Sequence, residues 1–257
     1  MSEPDAVFYF DLASPLAYLA AERILHTMPI ATEWQPVLAR TLKSTPSGAH
    51  PEGHTQRAHG RQAGELLADQ RSHRSLIGAE SFEAFRCRDD EDIFRLELER
   101  RAAELGLQEL RWPEPFPFDS AFAMRAATYA KSIGRIVPFA QAAFRQAFAG
   151  GRPLDAADNV LIAAAACEMH PSAVLKAAEL HSVGRQLAGA TATAAQLGIV
   201  DVPAVRVGER VFHGERSLEE AAAHAHTAGR PEQARVAPDA AAVTDGIAAG
   251  ARARRTR

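Results

Sequence analysis

The chain has 257 residues, 47% of them hydrophobic and 24% charged, with a formal net charge of −3. It is long enough to bury a full core as one elaborated domain or two small ones, and it carries no overall field that would draw nucleic acid or an anionic membrane. Its cysteines, Cys87 and Cys167, lie far apart and belong to neither a CxxC pair nor a zinc-type spacing, which excludes a disulfide scaffold. No apolar run approaches the roughly 20 residues needed to cross a bilayer, and the opening Met1-Ser2-Glu3-Pro4-Asp5 lacks the features of a secretory signal. The expected location is cytoplasmic, with no nucleic-acid or membrane partner.

Val7 to Asp11 reads as a short buried strand. Ser14-Pro15 then opens a helix, because serine is a favoured N-cap and proline a favoured first residue where N–H groups have no intrahelical acceptor. Leu16, Leu19, Ala20 and Ile24 give that helix a core face, and Thr32 to Leu38 is the second strand. The opening is therefore β-α-β, with its two strands parallel.

Ser44 to His59 is rich in Ser, Pro, Gly and His and reads as loop. Phe94, Leu98, Ala102 and Leu105 recur at helical spacing up to Gly106. After the Pro-rich turn Trp112 to Pro117, further helices are predicted at 119–133, 136–149, 156–168, 171–180 and 183–197. Ala204 to Val207 and Arg210 to His213 form a hairpin across Gly208-Glu209. Ser217 with Glu220 is a capping-box pattern before a last helix carrying Leu218, Ala221, Ala222 and Ala225. The Ala/Arg-rich segment 228–257 reads as a disordered tail.

This order, β-α-β, a block of helices, then β-β-α, is that of an α/β thioredoxin fold with a large all-helical insertion. The thioredoxin-like domain is assigned to 6–40 and 183–227, and the inserted loop-rich and helical domain to 41–182. On the residues alone, Pro203 fits either a cis bond or a trans turn before a strand.

Phe8-Tyr9-Phe10-Asp11, Ser14-Pro15 and Tyr18-Leu19-Ala20 resemble the opening of the 2-hydroxychromene-2-carboxylate isomerase and kappa-class glutathione transferase family. Arg111 to Asp119, Phe139 to Arg145 before Gly151-Arg152, Gly198 to Pro203, and Phe212-His213-Gly214 continue the likeness in the right order over residues 6 to 226. The resemblance implies a cis Val202–Pro203 bond beside the start of the first helix. It also implies a bound low-molecular-weight thiol, glutathione or another, as cofactor. Ser14 stands where thiol oxidoreductases keep a cysteine, so its implied role is to stabilise a foreign thiolate at the positive end of the helix. Backbone groups of Val202 beside Pro203 would pair with the cysteinyl part, and Glu215, Arg216 and Ser217 would line the thiol site.

The implied reaction is cis–trans isomerisation of an aromatic-derived unsaturated acid, a small-molecule substrate, by a homodimer. Tyr18, Asp119 and His213 are candidate substrate residues, each with a plainer reading as a packed side chain or a cap. The family's Gly-Asn turn after the second strand is replaced by Lys43 to Gly48, and an aspartate suited to the glutamyl amine has become Arg216. These departures leave two alternatives beside the isomerase: a thiol–disulfide oxidoreductase or glutathione transferase, and a non-catalytic binding protein. The first lacks the cysteine that exchange requires. No metal is expected, since His50, His54, His59 and His73 fit no ligand spacing.

Overall fold

The computed structural model describes residues 5–42 and 88–228. In chain order its elements are β1 (Ala6–Phe10), α1 (Pro15–Thr27), β2 (Thr32–Pro36), α2 (Ala39–Leu42), α3 (Arg88–Glu104), α4 (Ala121–Ser132), α5 (Ile136–Phe148), α6 (Ala157–Ala165), α7 (Pro171–Glu179), α8 (His181–Gln196), β3 (Ala204–Val207), β4 (Arg210–His213) and α9 (Ser217–Ala228). The four strands form one sheet in the order β2-β1-β3-β4, with β1 parallel to β2 and β3 antiparallel to both β1 and β4. That is the β-α-β and β-β-α arrangement expected, split by helices α3 to α8.

β1 is central and all five of its residues are buried, which is why it reads as an unbroken apolar run. Its alternate side chains serve two faces. Phe8 and Phe10 pack with Trp34 and Phe144 in the main core, which continues without interruption into α1, α4, α5 and α6. Val7 and Tyr9 face a smaller cluster with Ala194 of α8, Ile199, Val202 and Ala204. Ring pairs of this kind contribute about 0.5–1.5 kcal/mol each beyond their burial. α1 buries Leu16, Ala17, Leu19, Ala20 and Ile24 and stops at Met28, whose backbone is extended before Pro29.

Sequence and structure part at some boundaries. β2 ends at Pro36 rather than Leu38, because proline has no N–H to extend the ladder. The short helix α2 follows from Ala39, where no helix was predicted. The capping box at Ser217 does not form: α9 already begins at Ser217, whose Oγ is buried without a hydrogen-bond partner. In that first turn the Glu219 carboxylate pairs with Arg23 instead. The predicted tail beyond Ala228, the Lys43 to Gly48 turn and the four histidines of the 50–73 stretch lie outside the described residues.

Candidate functional site

β1 ends at Phe10, and the next residue is the first polar group of the corner. Asp11 is 3% exposed. Its Oδ1 accepts the Ala13 N–H and its Oδ2 accepts the Ala39 N–H, both at 3.0 Å, while the Ser120 hydroxyl provides a further hydrogen bond. Burial pushes its carboxyl above the ordinary value; these bonds and nearby Arg40 oppose the rise without cancelling it. One side chain thus ties the β1–α1 turn, the start of α2 and the start of α4. Sequence reasoning passed over it, although an aspartate at the end of a wholly apolar strand was a signal: a charge is buried there only with partners.

The turn delivers Ser14, whose N–H donates to the Asp11 carbonyl at 3.0 Å. Ser14 is the N-cap of α1 in extended conformation, and its Oγ accepts the Ala17 N–H at 3.2 Å. Its hydroxyl proton engages no acceptor among the described residues. The cap leaves Oγ anchored as an acceptor with one donor still to spend.

The Val202–Pro203 bond is cis. β3 begins immediately after it, and the register pairs Ala204 with Tyr9, so Pro203 stands at the sheet end from which Asp11 and Ser14 emerge. Gly214, at φ +79°, turns the chain out of β4 and donates its N–H to the Pro203 carbonyl at 3.0 Å. Three stretches, 11–14, 202–203 and 213–217, therefore meet at one end of the sheet.

The other sequence candidates divide. Glu215 and Arg216 line a cavity of about 310 Å³ whose apolar lining is Leu16, Phe94 and Leu98, two residues from Ser14 along α1. The N–H of Val202 donates to Asp201 Oδ1 at 2.8 Å, so it is already engaged. His213 Nε2 accepts the Val200 N–H at 3.4 Å; burial lowers the imidazole pKa, against the raising effect of Asp201 and a Gly198 backbone bond. His213 is thus an exposed residue tied by its ring nitrogen to the loop leading to Pro203.

Tyr18 is 1% exposed and packs against Phe144 and Phe148, with burial and then Glu22 pushing its hydroxyl up to about 12. Of its two readings, the structure has the packed one. Asp119 caps Ala121 and pairs with Arg40, both at 2.9 Å, as an exposed side chain. Among the described residues no group of His, Cys, Asp and Glu could hold a metal, and no helix is long and apolar enough to cross a membrane.

A four-stranded β-α-β/β-β-α sheet with a capped helix N-terminus and a cis-prolyl junction at the same sheet end defines a thioredoxin-fold protein. The chain belongs to the DSBA-like thioredoxin domain family, whose model matches residues 87–225. Among solved structures it is similar to a 2-hydroxychromene-2-carboxylate isomerase, at 15% identity over 87% of this chain and 95% of that one, with a TM-score of 0.64. A probable DsbA oxidoreductase from Streptomyces coelicolor is similar at 16% identity over 92% and 93%, with a TM-score of 0.63. The cytosolic disulfide reductase DsbM from Pseudomonas aeruginosa gives 11%, 90% and 99%, with a TM-score of 0.50. No curated protein matched the sequence. At these identities the likeness is one of fold, and both isomerase and redox chemistry occur on it.

Proposed function

We propose that this protein binds a low-molecular-weight thiol, glutathione or a close relative, and uses it to isomerise an aromatic-derived unsaturated acid. The observation that carries the reading is Ser14. It is a buried cap with an unspent hydroxyl donor, at a helix N-terminus on the same sheet end as the start of β3. The helix end favours an anion, and a hydroxyl donating to sulfur lowers a thiol's pKa toward neutrality. With Ser14 and Ala17 at the positions where an oxidoreductase has its cysteine pair, thiol–disulfide exchange has no resident thiolate to begin it.

In the proposed cycle the thiolate forms a C–S bond to the unsaturated carbon of the conjugated acid, and the displaced π electrons move onto the carbonyl as an enolate. The former double bond is then single and rotates. The enolate re-forms the double bond and expels the thiolate, so the thiol is regenerated and no redox partner is consumed.

The test is the titration of bound glutathione, read by thiolate absorbance. Free thiol titrates near its ordinary value of about 8.5; the bound thiol is expected about one unit or more lower, and Ser14→Ala should return most of that shift. A thiol that titrates identically bound and free, or a shift that Ser14→Ala leaves intact, defeats the reading. A second reading, a non-catalytic binding protein that has lost its thiol contacts, is favoured by the engaged Val202 N–H, a donor no longer open to a thiol ligand. It predicts no thermal stabilisation by glutathione or any other small thiol.

A further inference from the structure

The cavity beside the start of α1 has a volume of about 310 Å³, at the lower end of the roughly 300–1,000 Å³ of small-ligand pockets. Leu16, Phe94 and Leu98 supply its apolar side, and Leu16 stands in the same turn of α1 as the Ser14 cap. Its charged wall is largely self-satisfied. Arg100 pairs with Glu104 at 3.0 Å, and Arg101 pairs with Glu104 at 3.3 Å and with Glu215. Two lining groups of opposite sign stay outside this network. Arg216, exposed, pairs with no acid among the described residues. Glu97, half-buried on α3, has no hydrogen bond or ion pair among them, and its Oε2 is closed off from solvent.

An unpaired guanidinium is matched by an anion, and a carboxylate closed off from water is stabilised by a donor that reaches it. Between the two lies hydrocarbon, which leaves water when an apolar framework joins the ligand's polar ends. We infer that this cavity holds the acid substrate: its aromatic framework against Leu16, Phe94 and Leu98, its carboxylate on Arg216, and a hydroxyl on that framework donating to Glu97. The inference rests on the proposed function and deepens it, since it names a hydroxylated aromatic acid and the two residues that select it. It also moves Arg216 from the thiol, where the family resemblance puts it, to the substrate. The opposite signs of the two selecting residues fix the orientation, because a ring turned end for end would bring its carboxylate against Glu97. Held the one way, the acid lies beside the helix start where Ser14 would hold the sulfur.

Calorimetric titration of the full-length protein, with no thiol present, uses probes that lack the reactive double bond. They are 3-(2-hydroxyphenyl)propanoate, 3-phenylpropanoate, which lacks the hydroxyl, and 3-(2-hydroxyphenyl)propanamide, which lacks the charge. The wild type is expected to bind the hydroxy acid about tenfold more tightly than either of the others, the size of one charge-assisted hydrogen bond. Glu97→Met, similar in length but without a carboxylate, should erase the preference for the hydroxyl and keep that for the acid. Arg216→Ala should do the reverse, and Arg216→Lys, which keeps the charge, should recover part of the acid preference. Equal binding of all the probes, binding of none, or preferences that survive these substitutions overturn the inference. So does displacement of the hydroxy acid by S-methylglutathione, which would give the cavity to the thiol.

Failure here and failure of the thiol reading look different. Probe preferences that follow Glu97 and Arg216 while Ser14→Ala leaves the titration of bound glutathione unchanged uphold the acid site and defeat the thiolate role of Ser14. A thiol titration that depends on Ser14, with no probe bound, upholds the thiol and overturns the acid site. Circular dichroism and melting identify a folding defect in Glu97→Met. In that event Glu97→Gln, which keeps the shape and weakens the acceptor, should narrow the hydroxyl preference; a preference left at its full size counts against the inference.

Discussion

The two corners that face each other across the sheet end are built on opposite principles. At the 11–14 corner nearly every polar group is spent: Asp11 takes up the Ala13 and Ala39 N–H groups and the Ser120 hydroxyl, and Ser14 holds Ala17. At the 213–217 corner groups are left over, Arg216 and the Ser217 hydroxyl among them, with Glu97 across the cavity. A corner with its bonds satisfied has one geometry and keeps it. A corner with unmatched groups is stabilised only when something arrives to match them. On the proposed function, the first corner is the one that would set where a reacting sulfur sits.

The largest effect expected from breaking this contrast is at Asp11. Asp11→Ala strands two backbone N–H groups and a hydroxyl in a buried site, a loss of about 3 kcal/mol or more in urea unfolding. Asp11→Asn should fall between, because an amide offers an acceptor to one N–H and turns a donor toward the other. The raised carboxyl pKa adds a sign. The folded state holds the proton more tightly than the unfolded one, so this group's contribution is fully present below 3.8 and is lost as pH rises through the folded value. Asp11→Asn should remove that decline. If Asp11→Ala melts like the wild type, the corner is not held by this carboxylate.

A smaller change comes from Ser14→Ala. The lost cap should cost only about 1 kcal/mol of stability, although the same substitution is expected to remove most of the thiol shift. A variant that loses thiol activation in proportion to its stability would place Ser14 with the structural groups, and the contrast between the corners would fail there.

How much of this could be read from the chain follows the range of the interactions. Ser14-Pro15 and the Gly208-Glu209 hairpin were legible because each is decided by residues adjacent in sequence, and both lie where expected; the cis Val202–Pro203 bond was left open by its neighbours and was implied only by the family resemblance. β1 was legible because burial on both faces leaves an unbroken apolar run. Asp11 was not, since its partners Ala39 and Ser120 are brought to it only by the fold. Glu97 was invisible for the same reason: on α3 it is one acid among many, and only the cavity shows that its neighbours are paired elsewhere. The capping box at Ser217 failed because a pattern of residue types does not fix which residue is the first in the helix. Tyr18 was ambiguous because one turn beyond Ser14 a helix has already rotated from the sheet end toward the core, where Phe144 and Phe148 take the ring.

The smallest expected effect is at His213, and it tests whether the loop before Pro203 belongs to the satisfied corner or the unmatched one. Burial holds the imidazole below its ordinary value of 6.5, with Asp201 pulling the other way. Between the folded value and 6.5 the unfolded chain binds more protons, so stability rises with pH through that window and is lost as pH falls through the folded value. His213→Gln keeps an acceptor for the Val200 N–H but cannot titrate, so its melting temperature should vary less than that of the wild type across the acidic side of that window. An unchanged slope would mean that the imidazole is as well solvated folded as unfolded. The 198–201 loop would then not be fastened to β4, and the Val202 N–H would be positioned by Asp201 alone.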